Sequence, residues 1–136
     1  MTQIVRFPFQ ATPGDILMPY IPVQLESNAR AVQVMALLDT GAMVNVIPDR
    51  VGVALGLDWE LGEPSKLGGN IGKAPSKVFT VSVLIPGLNL VQLELNWSKS
   101  EELPVIFGQL DFFKQFDVCF SYSENELSLR SKREKS

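Results

Sequence analysis

Residues 36–42 read Ala36-Leu37-Leu38-Asp39-Thr40-Gly41-Ala42: an acid ends an apolar run and is followed at once by a small hydroxyl residue and a glycine. A lone carboxylate buried there is costly unless it is hydrogen-bonded or shares a proton. Gly41 lets the backbone turn tightly and approach a neighbouring group, and Thr40 brings a hydroxyl able to lock the loop. An ordinary turn with Asp39 as its Asx residue accounts for the tripeptide equally well. The flanking residues define the element that carries it. Val32, Val34, Ala36 and Leu38 alternate with Gln33, Met35 and Leu37, so Asp39 closes a β-strand whose two faces are both at least partly buried.

The same period of two recurs along the chain. Phe79, Val81, Val83 and Ile85 alternate with Thr80 and Ser82. Val91, Leu93, Leu95 and Trp97 alternate with Gln92, Glu94 and Asn96, which predicts one face in and one face out. Val118 and Phe120, then Leu127 and Leu129, flank a polar stretch at 121–126 and predict a hairpin. Nine prolines and ten glycines punctuate these runs, so the fold class is mostly β. Two short helices are expected. One starts at Pro48-Asp49-Arg50 and stops at Gly56; the other lies within 110–116 and carries Phe112, Phe113 and Phe116 at helical spacing. Pro8, Pro13 and Pro19 make residues 1–19 an irregular arm with a single strand at Ile4–Phe7. The length of 136 residues implies one folded domain, placed at 20–129, with a basic disordered tail at 130–136.

Composition removes whole classes of chemistry. The chain has no histidine and one cysteine, Cys119. Ser-His and Cys-His nucleophile pairs, HExxH zinc sites, CxxC redox pairs and intrachain disulfides are thereby excluded. Acid–base work falls to carboxylates, Lys or Tyr; no metal and no cofactor is expected. The last seven residues carry a net +3 and leave −6 on the rest, which argues against a nucleic-acid footprint. That tail reads as a solvated terminus in preference to a contact with an anionic surface. No apolar run approaches the ~20 residues of a membrane span, and Met1–Arg6 lacks the n- and h-regions of a signal peptide. A cytoplasmic product without membrane contact is the expectation.

The segment around Asp39 resembles the catalytic loop of the aspartic proteases, in their retropepsin-like, single-lobe, bacterial-type branch related to retroviral proteases. A second family element, two apolar residues and a glycine before a helix, is matched by Val105-Ile106-Phe107-Gly108-Gln109-Leu110-Asp111-Phe112-Phe113. Between the two, Leu67-Gly68-Gly69-Asn70-Ile71-Gly72 supplies a glycine-rich stretch where the substrate-binding flap falls. The rival phosphate-loop reading fails, because Gly72-Lys73 is followed by Ala74 and position 67 is leucine. A flap is preferred over a plain mobile loop. The resemblance covers roughly residues 20–121. Family members often pair an acid two residues after the first glycine with an arginine after the second. Met43 and Gln109 stand there, so both partners are absent together. Asn45 replaces the usual Ser or Thr.

The resemblance implies a closed single-lobe β-barrel acting as a homodimer on peptide or protein substrates. Asp39 is the expected catalytic residue, supported by Thr40, Gly41 and Ala42, with Ile106 and Gly108 as the structural second signature. Two carboxylates sharing one proton are required for this chemistry, and the chain holds no second Asp-Thr/Ser-Gly. Each subunit therefore contributes one Asp39. Ala42 has no hydroxyl to donate to the carboxylate, which implies a pH optimum less acidic than that of pepsin. Two other readings stay open: a catalytically inactive dimeric peptide-binding or assembly module on the same fold, and an unrelated small β-barrel whose Asp-Thr-Gly is a turn.

Overall fold

The computed structural model describes residues 3–65 and 68–132. The N-terminal arm is less irregular than its prolines suggest: it forms β1 (Ile4–Pro8) and a small hairpin of β2 (Gln10–Ala11) with β3 (Leu17–Met18). Next come β4 (Tyr20–Ser27) and β5 (Arg30–Leu38), an antiparallel pair joined by the two-residue turn Asn28-Ala29. Both turn residues have positive φ, +49° and +61°, the twist that suits a tight hairpin. Beyond the Asp39 turn lie β6 (Asn45–Ile47), α1 (Asp49–Ala54), β7 (Glu63–Pro64) and β8 (Asn70–Ile71). The long strand β9 (Ala74–Leu84) pairs antiparallel with β10 (Val91–Ser98), and β11 (Val105–Phe107), α2 (Phe112–Gln115), β12 (Phe116–Ser121) and β13 (Glu126–Ser131) complete the chain.

The principal sheet runs β10-β6-β11-β5-β4-β9 and closes through β9–β10 pairing into a six-stranded barrel, with β7 and β8 added along β9. Closure removes free edges and traps the inward residues. Ile21, Val23, Leu25, Ala36, Leu38, Val81, Val83, Leu93, Leu95, Val105 and Phe107 are all buried, so the alternating positions face the core as their period predicts. A three-stranded sheet, β1-β13-β12, flanks the barrel and brings the N-terminal strand against the C-terminal hairpin.

Both expected helices form. Trp97 Nε1 donates to Asp49 Oδ1 at 2.8 Å, fixing the first turn of α1 to the barrel. Gly56, with φ +68°, follows its last turn in the left-handed conformation that stops a helix without a Cβ clash. Helix α2 is one turn long and is held by aromatic packing: Phe112 stacks on Phe107 and on Phe116, each with ring centroids 4.9 Å apart.

Two expectations are corrected. The alternation of β10 holds at Gln92 and Glu94 but fails at Asn96 and Ser98, which are buried although they point away from the barrel core. The β8–β9 hairpin covers the end of the strand at Ser98, whose Oγ donates to Ile71 O at 2.6 Å. Cys119, whose small apolar side chain predicts a place in the core, is exposed. Val118 and Phe120 take the inward positions of β12, so its other face, with Asp117 and Cys119, meets solvent.

Candidate active site

The Asp39 turn sits where β5 and β11 run side by side in parallel. Leu38 pairs with Phe107, and Asp39 N donates to Phe107 O at 3.0 Å. That register places Gly108 directly beside the turn. Gly41 N donates to Asp39 Oδ1 at 2.8 Å and Ala42 N to Asp39 O at 3.1 Å, so the chain folds back on the acid immediately after it. Asp39 is half-buried, whereas Thr40 and Gly41 are exposed. Among the described residues the Gly41 amide is the hydrogen-bond partner of the Asp39 carboxylate.

Gly108 is a glycine because of close approach. A Cβ there would lie 2.7 Å from both Ala42 O and Val44 O, backbone atoms that cannot swing aside. The residues after it lock the second element onto the first: Gln109 N donates to Ala42 O at 2.9 Å and Leu110 N to Met43 O at 2.8 Å. Gln109 also fills the position left by the family's arginine, since its Nε2 donates to Thr40 O at 2.6 Å. A neutral amide thus reaches the turn without needing the acid that Met43 replaces.

Beneath this lies a network centred on Asn45, 1% exposed. Its Oδ1 accepts from Gly108 N at 2.8 Å; its Nδ2 donates to Glu94 O at 3.0 Å and to Asp111 Oδ2 at 3.1 Å. Asp111 Oδ2 also accepts from Glu94 N at 2.7 Å, and its Oδ1 from Gln115 Nε2 at 2.9 Å. The carboxylate of Asp111 is therefore satisfied by protein donors and ties α2 to β10 and β6. Its bridging role was not readable from the sequence, where the two residues between Gly108 and Asp111 obscure its register.

The glycine-rich stretch is a hairpin. Asn70 pairs with Pro75 and Ile71 with Ala74 around a Gly72-Lys73 turn, with φ +65° and +63°. Its tip rests on the 98–103 loop, where Gly72 approaches Leu103 and Ser100. Gly68, Gly69, Asn70, Ile71 and Gly72 thus belong to one arm rooted at β7 and β9; Leu67, the first flap residue expected, lies outside the described residues. Ile106 is half-buried and pairs with Leu37 and Val46, which makes it part of the barrel wall behind the turn. An open depression of about 390 Å³ adjoins Asp39 and Thr40, bordered by Met18, Pro19, Leu37, Phe120 and Tyr122. Among the described residues, no group of three or more His, Cys, Asp or Glu is placed to hold a metal ion. No helix among them is long and apolar enough to cross a membrane.

A closed single-lobe barrel with an Asp-Thr-Gly turn braced by a Phe-Gly element is the retropepsin-like fold. The solved structures bear this out. The chain superposes on a retropepsin-like aspartic protease from Rickettsia conorii with a TM-score of 0.67 and 14% identity, over 96% of this chain and 94% of that one. It superposes on the retroviral protease-like domain of Ddi1 from Leishmania major with a TM-score of 0.56 and 21% identity, over 83% of this chain and 88% of the other. No family sequence model and no curated protein sequence matches the chain.

Proposed function

We propose that this protein is an aspartic endopeptidase that hydrolyses peptide bonds as a homodimer, with Asp39 of each subunit forming the catalytic pair. One observation carries the reading. The Asp39 carboxylate is held by the Gly41 amide at 2.8 Å in a turn that faces outward and is braced from behind. A merely structural Asx turn has no need of the Gln109 and Asn45 bracing from two further elements. Apolar side chains flank the turn at the surface: Met43 is 51% exposed and Leu110 36%, surface that a partner subunit or a bound peptide would cover.

The chemistry follows from two carboxylates with one proton between them. The ionised carboxylate takes a proton from a bound water while the protonated one donates to the scissile carbonyl oxygen. Water oxygen adds to the carbonyl carbon and gives a tetrahedral diol. A proton then passes to the amide nitrogen, the C–N bond breaks, and an amine and a carboxylic acid leave. Water and peptide bond are consumed in equal number, and the pair regains its single shared proton. Gly41 N–H orients each carboxylate, and Thr40 hydrogen-bonds across the two-fold axis to keep the two turns level. The 68–73 arm lies over an extended peptide, excluding water and adding strand-like hydrogen bonds. Ala42, Ile106 and Gly108 support the turn.

Digestion of casein between pH 3 and 8 by wild type and Asp39→Asn tests this reading. Cleavage by wild type that is lost in the variant is the expected result, with an optimum well above pH 2. A folded dimer that cleaves nothing at any pH would instead favour a non-catalytic peptide-binding module, and a folded monomer an accidental turn.

A further inference from the structure

The three-stranded sheet β1-β13-β12 has two outer edges, and they differ. Hydrogen-bond phase decides which backbone groups each one presents. Phe9 N donates to Asn125 O at 2.8 Å and continues the β1–β13 ladder, so Phe7–Leu127 and Val5–Leu129 are the pairs that exchange bonds. Ser128 and Arg130 therefore turn their backbone groups toward Cys119 and Asp117 of β12. Lys132 N, which donates to Gln115 O at 3.0 Å, has the same phase. It follows that Ile4, Arg6 and Pro8 direct their backbone groups off one edge of the sheet, and Val118 and Phe120 off the other.

The β1 edge is blunted. Pro8 stands at an outward-directed position and has no N–H to offer, and Arg6 adds an exposed charge two residues before it. The β12 edge carries none of these devices. Its sequence, Phe-Asp-Val-Cys-Phe-Ser, has no proline and no lysine, and its register is unbroken. Its one charge, Asp117, is paired with Arg130 at 3.3 Å within the sheet. Phe116 N donates to Phe112 O at the end of α2, so the open groups are those of Val118 and Phe120. Among the described residues no strand lies beside them. An edge left open in this way is a template for another strand.

We infer that β12 pairs antiparallel with β12 of a second copy of this chain, through the N–H and C=O groups of Val118 and Phe120, making one six-stranded sheet beside the two Asp39 turns. The inference rests on reading the Asp39 site as shared by two subunits. Position identifies the occupant. Phe120, with Tyr122 just beyond the strand, borders the same depression as Asp39 and Thr40, so a two-fold axis beside Asp39 runs close to this edge. An isologous contact then sets the edge against its own copy. Antiparallel registers that use both Val118 and Phe120 place Asp117 opposite Cys119, Ser121 or Ser123, so no like charges meet. The two faces also continue across the junction, with Val118 and Phe120 packed on the core and Asp117 and Cys119 in solvent in each copy.

Cys119, the chain's single cysteine, makes the test direct. In the proposed contact the two Cys119 Cβ atoms are opposite or diagonal, roughly 5–8 Å apart. Pairing through β1 would separate them by five strand spacings, roughly 24 Å. A bismaleimide spanning about 8 Å is therefore expected to link wild type into a covalent dimer, and to leave urea-unfolded chain and Cys119→Ser unlinked. A second arm uses charge at the same exposed position. Cys119→Lys and Cys119→Glu, each alone, should weaken dimerisation about threefold in sedimentation equilibrium at low salt, and an equimolar mixture of the two should restore it. A dimer that the reagent does not link and both variants leave unchanged overturns the β12 contact while the shared Asp39 site stands. A linked dimer that cleaves no casein supports the contact and counts against the protease. A folded wild type that stays monomeric at every concentration overturns both.

Discussion

Asn45→Ala is expected to lower stability by about 3 kcal/mol. The side chain is 1% exposed and makes three hydrogen bonds to three separate elements. Its loss leaves the buried Gly108 N–H without an acceptor, at a cost of about 1–3 kcal/mol. It also withdraws one of the donors that satisfy the Asp111 carboxylate, worth about 1–2 kcal/mol more. For a domain of this size the sum corresponds to a fall in Tm of about 10 °C. Urea unfolding at one fixed protein concentration is the assay, with unchanged m showing that only stability has moved. Asn45→Leu fills the site with the same branched heavy-atom shape and loses every side-chain hydrogen bond; it is expected to be no better than alanine. Asn45→Ser retains a group that can accept from Gly108 and donate to Asp111, and should lose about half as much. A loss below about 1 kcal/mol for Asn45→Ala, or a leucine variant as stable as wild type, would refute the claim that this network joins the two halves of the site.

Further outcomes follow from single contacts. Gly108→Ala forces a Cβ to 2.7 Å from two backbone oxygens, and should destabilise by about 3 kcal/mol and lower activity with it, measured by urea unfolding and casein cleavage. Phe112→Ala removes the middle ring of the Phe107–Phe112–Phe116 stack and should cost about 3–5 kcal/mol by the same unfolding assay. Ala29→Gly relieves a positive φ of +61° in the β4–β5 turn and is expected to stabilise by about 0.5 kcal/mol; a loss of stability would show that the turn is not strained.

The barrel was legible because its strands announce themselves locally. The alternation in β5, the second half of β9, β10 and the β12–β13 hairpin is carried by residues that need only their neighbours to be read, and Gly56 marks the end of α1 in the same way. What escaped depends on distant pairing. Asn96 looks like an outward residue until Asn45 O accepts from its amide and β7 joins the same face across Val78, and Asp111 gains its role through Asn45, distant in sequence and adjacent only after folding. Strands β2, β3, β7 and β8 are two residues each, too short for a period. Cys119 is a different case. The alternation of Val118 and Phe120 places it on the outer face, and that position prevails over its apolar character. The Asp39 turn itself stands where the sequence put it, with the Gly41 amide on the carboxylate and the Gly108 element beside it.

In the proposed enzyme one active site needs an Asp39 from each of two chains. Wild type at fixed concentration is co-refolded from urea with increasing Asp39→Asn chain, and casein cleavage is followed. Mixed dimers hold one aspartate and no working pair, so a ninefold excess of the variant should reduce activity to about one tenth. Activity that stays constant as the variant is added would contradict the shared site.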